Sequence, residues 1–416
     1  VELLRVRSRG FWATTSQISS SGSNFVIALV AIRSLPLEEF GQFSLAYLTL
    51  TTAILVTRST VGQTILLANA GSSRRGYAGV MAMATLATGT ATFAVSLLVL
   101  GDLSAAVILG VAGLIAMVQD TGRYLAIVED RWDKAALSDF IWLVLMVSGA
   151  FGFSALRADI GVSETIALWA VAGLLSTPPV LSRSLLPDLR FAGSWVRTNR
   201  ATLAPLSGES LLINVSGYAV NWIATLFGGF AGVGLFRAIQ VVMSPVSVLS
   251  QSATLVLLRS SPSADAGRDR PVARPVFVLG LLMGATIAWF AALQFTAIGP
   301  VLFADSWSAV EPLIALVALG QCFAVVGLVS VNMMKIRFSS HSAFVFRSAV
   351  VAISPLAVAL GGSAIPLSGA ALGQIAAQIL TGSIAVLWLY GLGLRLRLRA
   401  RSIGPEPKDS GSGAAP

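Results

Sequence analysis

Ionisable side chains are scarce in this sequence, and several stand inside long apolar stretches. Arg58 lies two thirds of the way along one such stretch, Arg237 about a turn into another, and Arg33 closes a third. An arginine at the centre of a membrane helix costs about 2.5–3.5 kcal/mol on insertion scales, so it faces protein or water and takes a partner. Its guanidinium fork matches the geometry of phosphate oxygens. One reading is that Arg58, Arg237 and Arg33 hold an anionic head group in a cavity. The other is that Arg33 and Arg237 snorkel to one interface and Arg58 toward the opposite one.

The carboxylates offer a second chemistry. Gln119-Asp120-Thr-Gly-Arg123-Tyr124 ends one apolar run, Asp139 sits on the next, and Glu209 opens a later one. Asp120 and Arg123 are one helical turn apart and can pair. A carboxylate beside a cavity can take up a proton, and a carboxylate in an ion pair can lock two helices; Asp120, Arg123, Asp139 and Glu209 are candidates for either coupling or gating. Glu209, at a helix start, can also simply favour the dipole.

Neutral polar residues form two stripes. Gln17, Ser20 or Ser21, and Asn24 recur at helical spacing, as do Ser207, Ser210, Asn214, Gly217 and Asn221. Two such stripes can wall an aqueous cavity, with Gln17, Asn24, Asn214 and Asn221 facing the substrate. They can equally be small and amide residues packing helix on helix.

What must position these residues is a membrane bundle. Of 416 residues, 55% are hydrophobic and 11% charged, where soluble domains carry roughly a quarter charged. Apolar runs long enough to cross the hydrocarbon core number about twelve, six between 11 and 182 and six between 206 and 391. The expected fold is an all-α integral membrane protein: a lobe over 1–182, a polar cytoplasmic linker over 183–205, a second lobe over 206–394, and a basic, unstructured tail over 395–416. With the N-terminus in the cytoplasm, all the Lys and Arg fall on that side except Arg33, Arg157, Arg58 and Arg237, which predicts both termini inside. The basic start followed by an apolar span, without a cleavage pattern, reads as an uncleaved anchor in a cytoplasmic-type membrane.

Other chemistries find little support. The net charge of +9 is scattered between apolar runs, without the basic, aromatic-interleaved patch of a nucleic-acid binder. One cysteine, Cys322, excludes a disulfide framework or thiolate metal site, and His341 lies in a polar loop. No HExxH, Walker or GxSxG pattern appears, so no cofactor or enzyme activity is expected. Pro245, Pro312 and Pro355 fall within the spans and are candidate kinks.

The two lobes are related. Gly41-Gln42-Phe43 recurs as Gly234-Leu235-Phe236, and the same offset carries Gln17 onto Ser210 and Ser21 onto Asn214. The run from Leu35 through Pro36, Gly41 and Phe43 to Ala46 resembles the signature of polysaccharide-exporter, O-antigen flippase-like proteins. These form a branch of the MOP superfamily, which also holds multidrug extruders and lipid II flippases. Gln119-Asp120 with Arg123-Tyr124, then Arg131 and Ser138-Asp139-Phe140-Ile141-Trp142, is similar to that branch, as is Gly208-Glu209-Ser210-Leu211-Leu212-Ile213-Asn214. The resemblance implies a two-lobed transporter alternating between inward- and outward-open states around a cationic cavity. Its substrate would be a polyprenyl-pyrophosphate-linked oligosaccharide, and its partners membrane lipids and the glycosyltransferases and polymerase of the same pathway. Lipid II flippases typically add two further helices, whereas the apolar runs here stop at twelve. Drug extruders usually place a carboxylate in the first helix, and here that helix has none from Phe11 to Ile32.

Three alternatives predict different features. A drug or cation antiporter requires an acidic cavity. A membrane-embedded glycosyltransferase or polymerase requires charged residues on sizeable outer loops, where only Asp159 and Glu164, or Asp305 and Glu311, are available. A non-transporting scaffold requires packed helices with no cavity.

Overall fold

Helices of membrane-spanning length dominate the computed structural model, which describes residues 2–67, 74–156, 161–182, 185–259, 273–338 and 340–402. The crossings are α1 (Glu2–Ser34), α2 (Leu37–Thr57, continued through a π turn to Leu67), α3 (Arg74–Leu100), α4 (Leu103–Val128), α5 (Trp132–Leu156) and α6 (Val162–Ser176). In the second half, α7 runs from Leu189–Ser210 through a π turn at Leu211–Val215 to residue 228, and α8 covers 230–259. They are followed by α9 (Ala273–Phe295), α10 (Ile314–Arg337), α11 (Ser340–Val350, then Ile353–Ala364) and α12 (Gly369–Ser402).

Among the described residues, nine stretches are long and apolar enough to cross a membrane, and one of them, Leu189–Ser250, contains two crossings. The turn between those two is made at Gly229, whose φ of 62° is a left-handed backbone that favours glycine. With α1, whose apolar character is broken by its polar stripe, and the 15-residue α6, the total is twelve. The chain is a multi-pass membrane protein. Arg157, Asp159, Arg183 and the tail from 403 on lie outside the described residues.

Packing repeats between the halves. α1 lies on α5, α3 on α4 and α4 on α6; in the second half α7 lies on α11, α9 on α10 and α10 on α12. The halves meet where α2 crosses α8. There a Cβ on Gly41 would stand 1.9 Å from the Phe230 carbonyl oxygen, and a Cβ on Gly234 would stand 2.1 Å from that of Leu37. The contact is reciprocal because the offset relating Gly41 to Gly234 also relates Leu37 to Phe230. Glycine is required on both sides for the backbones to touch, as in close membrane-helix crossings.

The structure adds detail to three of the segments read from the sequence. Much of the segment expected to be a polar linker is helical from Leu189, and it docks on α3 through buried Ala192 and Trp195, with Trp195 against Tyr77 at 5.9 Å. α12 continues to Ser402, into the stretch expected to be unstructured. Of the three prolines, only Pro245 lies deep inside a helix. Pro312 sits in a 3-10 turn and Pro355 in the first turn of Ile353–Ala364, where a proline costs no helix hydrogen bond.

Candidate functional site

Between the halves lies a cavity of about 540 Å³, beside the Gly41–Gly234 crossing. Its first-half wall comes from α1 and α2, with Ser21, Asn24, Tyr47 and Thr51. Phe43 stacks on Tyr47 at 5.6 Å, and Trp169 meets Tyr47 edge-on at 5.7 Å. That aromatic column fixes the Tyr47 ring so that its hydroxyl donates to Asn24 Oδ1 at 2.8 Å.

The second-half wall comes from α8, α10 and α12. Arg237 and Gln240 stand one turn apart on α8, with the guanidinium donating to the Gln240 carbonyl oxygen. Gln321 projects from α10, and Gln374 and Gln378, one turn apart, project from α12. Among the described residues Arg237 is the one charged residue lining this cavity, and no carboxylate lines it. Nor does any described carboxylate lie within ion-pair distance of Arg237, whose Nε is buried without a partner.

Arg58 belongs to a different constellation. It sits at the π turn Arg58–Gly62, and its Nε donates to Asp120 Oδ1 on α4 at 2.7 Å. Arg123 Nη2 reaches the same oxygen at 2.9 Å, and its Nη1 reaches Asp139 Oδ2 on α5 at 3.4 Å. Asp139 also accepts from Ser16 of α1 and from Gln119 Nε2, the latter at 3.2 Å. Two arginines and two aspartates thus neutralise one another while joining α1, α2, α4 and α5. A recess of about 90 Å³ reaches this network, lined by Arg58 and Asp139 and adjoining the central cavity along Asn24, Thr51 and Leu55.

The remaining expected site residues are placed elsewhere. Arg33 does not line the cavity: Nη1 donates to the Val301 carbonyl at 2.7 Å and ties α1 to the short helix Ile298–Phe303. Gln17 donates to Ser21 Oγ at 3.3 Å and does not line the cavity. Neither do Asn214 and Asn221, whose amides donate to carbonyls of their own helix, Ser210 at 3.0 Å and Gly217 at 2.8 Å. Elsewhere on the α7 stripe, Ser210 Oγ meets Ser59 Oγ across the halves and Gly217 lines a second cavity of about 400 Å³. Glu209 lies in a surface cluster, accepting from Arg347 at 2.8 Å with Lys335 at 3.6 Å.

The sequence reading missed Gln240, Gln321, Gln374 and Gln378. The signal was there in part, since Gln374 and Gln378 share one face of an otherwise apolar helix. Gln321 and Gln240 carry no such pattern, and only packing brings them to the same wall.

No protein-family model matches the sequence, and no curated protein matches it. Solved structures do share its fold. An inward-facing MATE-family multidrug resistance transporter of the MOP superfamily aligns over 94% of this chain and 99% of its own, with 14% identity and a TM-score of 0.66. The lipid II flippase MurJ in an inward closed conformation aligns over 92% and 86%, with 11% identity and a TM-score of 0.65. A MOP-superfamily transporter from Pyrococcus furiosus, described as having a binding pocket of reverse polarity, aligns over 94% and 96%, with 14% identity and a TM-score of 0.55. The chain therefore has a MATE- and MurJ-like transporter fold, and these neighbours are transporters and a flippase, not enzymes.

Proposed function

We propose that this protein turns a polyprenyl-pyrophosphate-linked oligosaccharide across the membrane by alternating access, for synthesis of a cell-surface polysaccharide. The observation that carries the reading is the charge of the central cavity: Arg237 lines it, and among the described residues no carboxylate does. A desolvated guanidinium without a counter-ion attracts an anion and repels a cationic drug. Arg58, in the adjoining recess, is the second candidate for the phosphates, with its Nε already held by Asp120. The likeness to a lipid II flippase is in keeping with a lipid-linked substrate.

In this reading the basic loops face the cytoplasm, and the Gly41–Gly234 crossing seals the cavity from the outside. Substrate enters from the inner leaflet, Arg237 takes the pyrophosphate, and separation of α2 from α8 opens the outer side. Asp139 and Asp120 are the proposed coupling residues, since Asp139 borders the recess and both carboxylates are shared with Arg123. Those buried acids are also what favours a second reading, an ion-coupled drug antiporter of the same superfamily.

The sidedness of lipid-linked oligosaccharide separates the two. Cells lacking the protein should accumulate complete units on the inner leaflet, and wild type should relieve this while Arg237→Ala combined with Arg58→Ala should not. Normal delivery of units to the outer leaflet in its absence would sink the flippase reading.

A further inference from the structure

The second-half wall of the cavity holds more hydrogen-bonding capacity than an anion requires. Arg237 can meet a phosphate or carboxylate alone, yet four glutamines line the same cavity. Gln240, Gln321, Gln374 and Gln378 come from three different helices and converge on one cavity. Each amide offers two donors and an acceptor and no charge.

Two of these amides are incompletely used. Gln374 Oε1 and Gln378 Oε1 are out of reach of solvent and have no hydrogen-bond partner among the described residues. An amide that serves helix packing in a membrane closes on its own helix, as Asn214 does, or bonds across to a neighbour; the Gln374 and Gln378 carbonyls do neither. Asn221 donates to Gly217 and keeps a buried, unpartnered Oδ1, but unlike Gln374 and Gln378 it does not line the cavity. Local packing also favours the position of Gln378: a Cβ at Gly320 on α10 would stand 2.6 Å from its Oε1, so glycine there lets the amide lie against α10.

We propose that this wall is a sugar-reading surface, in which Gln240, Gln321, Gln374 and Gln378 bind hydroxyl and N-acetyl groups of a glycan whose anionic linkage is held by Arg237. Rotated out of the wall toward the cavity, the unpartnered carbonyls accept hydroxyl or N-acetyl N–H protons, and the amide N–H groups donate to sugar oxygens. A bare polyprenyl phosphate would leave the amides unused, and a cationic ligand would be opposed by Arg237. This inference rests on the reading of Arg237 as an anion ligand.

The test uses the purified full chain and two probes, farnesyl diphosphate and farnesyl-diphospho-N-acetylglucosamine. Wild type should bind the sugar-bearing probe about tenfold or more tightly than the bare one, the scale of about one net hydrogen bond gained. Gln374→Leu and Gln378→Leu should each lose most of that margin while holding farnesyl diphosphate as wild type does, which also shows the variants to be folded. Arg237→Ala should weaken both probes. As a second measurement, Gln378→Cys in a Cys322→Ser background should be protected from alkylation more by the sugar-bearing probe than by the bare one. Equal binding of the two probes by wild type, or equal weakening of both by the leucine variants, overturns the sugar-reading wall and leaves the anion site standing. If wild type binds neither probe, the anion-ligand reading fails and the wall fails with it.

Discussion

Arginine appears in two electrostatic settings. Arg58 and Arg123 are balanced by Asp120 and Asp139 inside the first half, whereas Arg237 stands in the cavity with a neutral glutamine for its neighbour. Removing one member of a buried, balanced set leaves a charge uncompensated, which typically costs about 3–5 kcal/mol. Asp120→Asn should therefore lower the unfolding midpoint of the purified protein sharply. Adding Arg58→Met to Asp120→Asn restores the balance with Arg123 facing Asp139, so the double variant should be more stable than Asp120→Asn alone. Additive losses in that cycle would show that the charges act independently. The spacing of Asp120 and Arg123 was legible in the sequence because a helix turn brings them together. The partnership of Arg58 with Asp120 was not, because it depends on how α2 lies across α4.

At the scale of elements, the sequence showed the repeated Gly41 and Gly234 motif but not its meaning. Periodicity locates helices, while a crossing of two backbones becomes visible only when both helices are placed. The same limit explains the helix from Leu189, whose polar, basic composition reads as a linker although Ala192 and Trp195 bury one face on α3. It also explains the amide wall, assembled from helices far apart in the chain. The crossing makes a specific prediction. A methyl at Gly41 or Gly234 cannot fit beside the opposing carbonyl, and overpacking of this kind costs about 1–3 kcal/mol, equivalent to a shift of roughly 5- to 150-fold between two states. Gly41→Ala and Gly234→Ala should each favour the state separated at the Pro36 end. The readout is the alkylation rate of Gln240→Cys, in a Cys322→Ser background, by an impermeant maleimide added to that side. Because the contact is reciprocal, the two variants should speed labelling by similar factors. Unchanged rates in folded protein would mean that the crossing is not the barrier.

For the whole molecule, orientation decides what the seal does. The sequence placed twelve crossings well, since each apolar run must be about a membrane thick, and the fold bears out that count. Sidedness rests on the distribution of Lys and Arg, an argument about insertion and not about packing. Exposed Ser194, on the helix docked against α3, lies at the basic end, while exposed Ser363, in the last turn of α11, lies at the Pro36 end. In a Cys322→Ser background, Ser363→Cys should react with impermeant maleimide in intact cells, and Ser194→Cys only after the membrane is opened. The described state would then be closed to the outside at Gly41–Gly234, with Arg237 placed to receive an anion made in the cytoplasm. The reverse labelling pattern would turn the cavity toward the outside, so that a substrate made within the cell would meet the seal first and the direction of the proposed transport would have to be reversed.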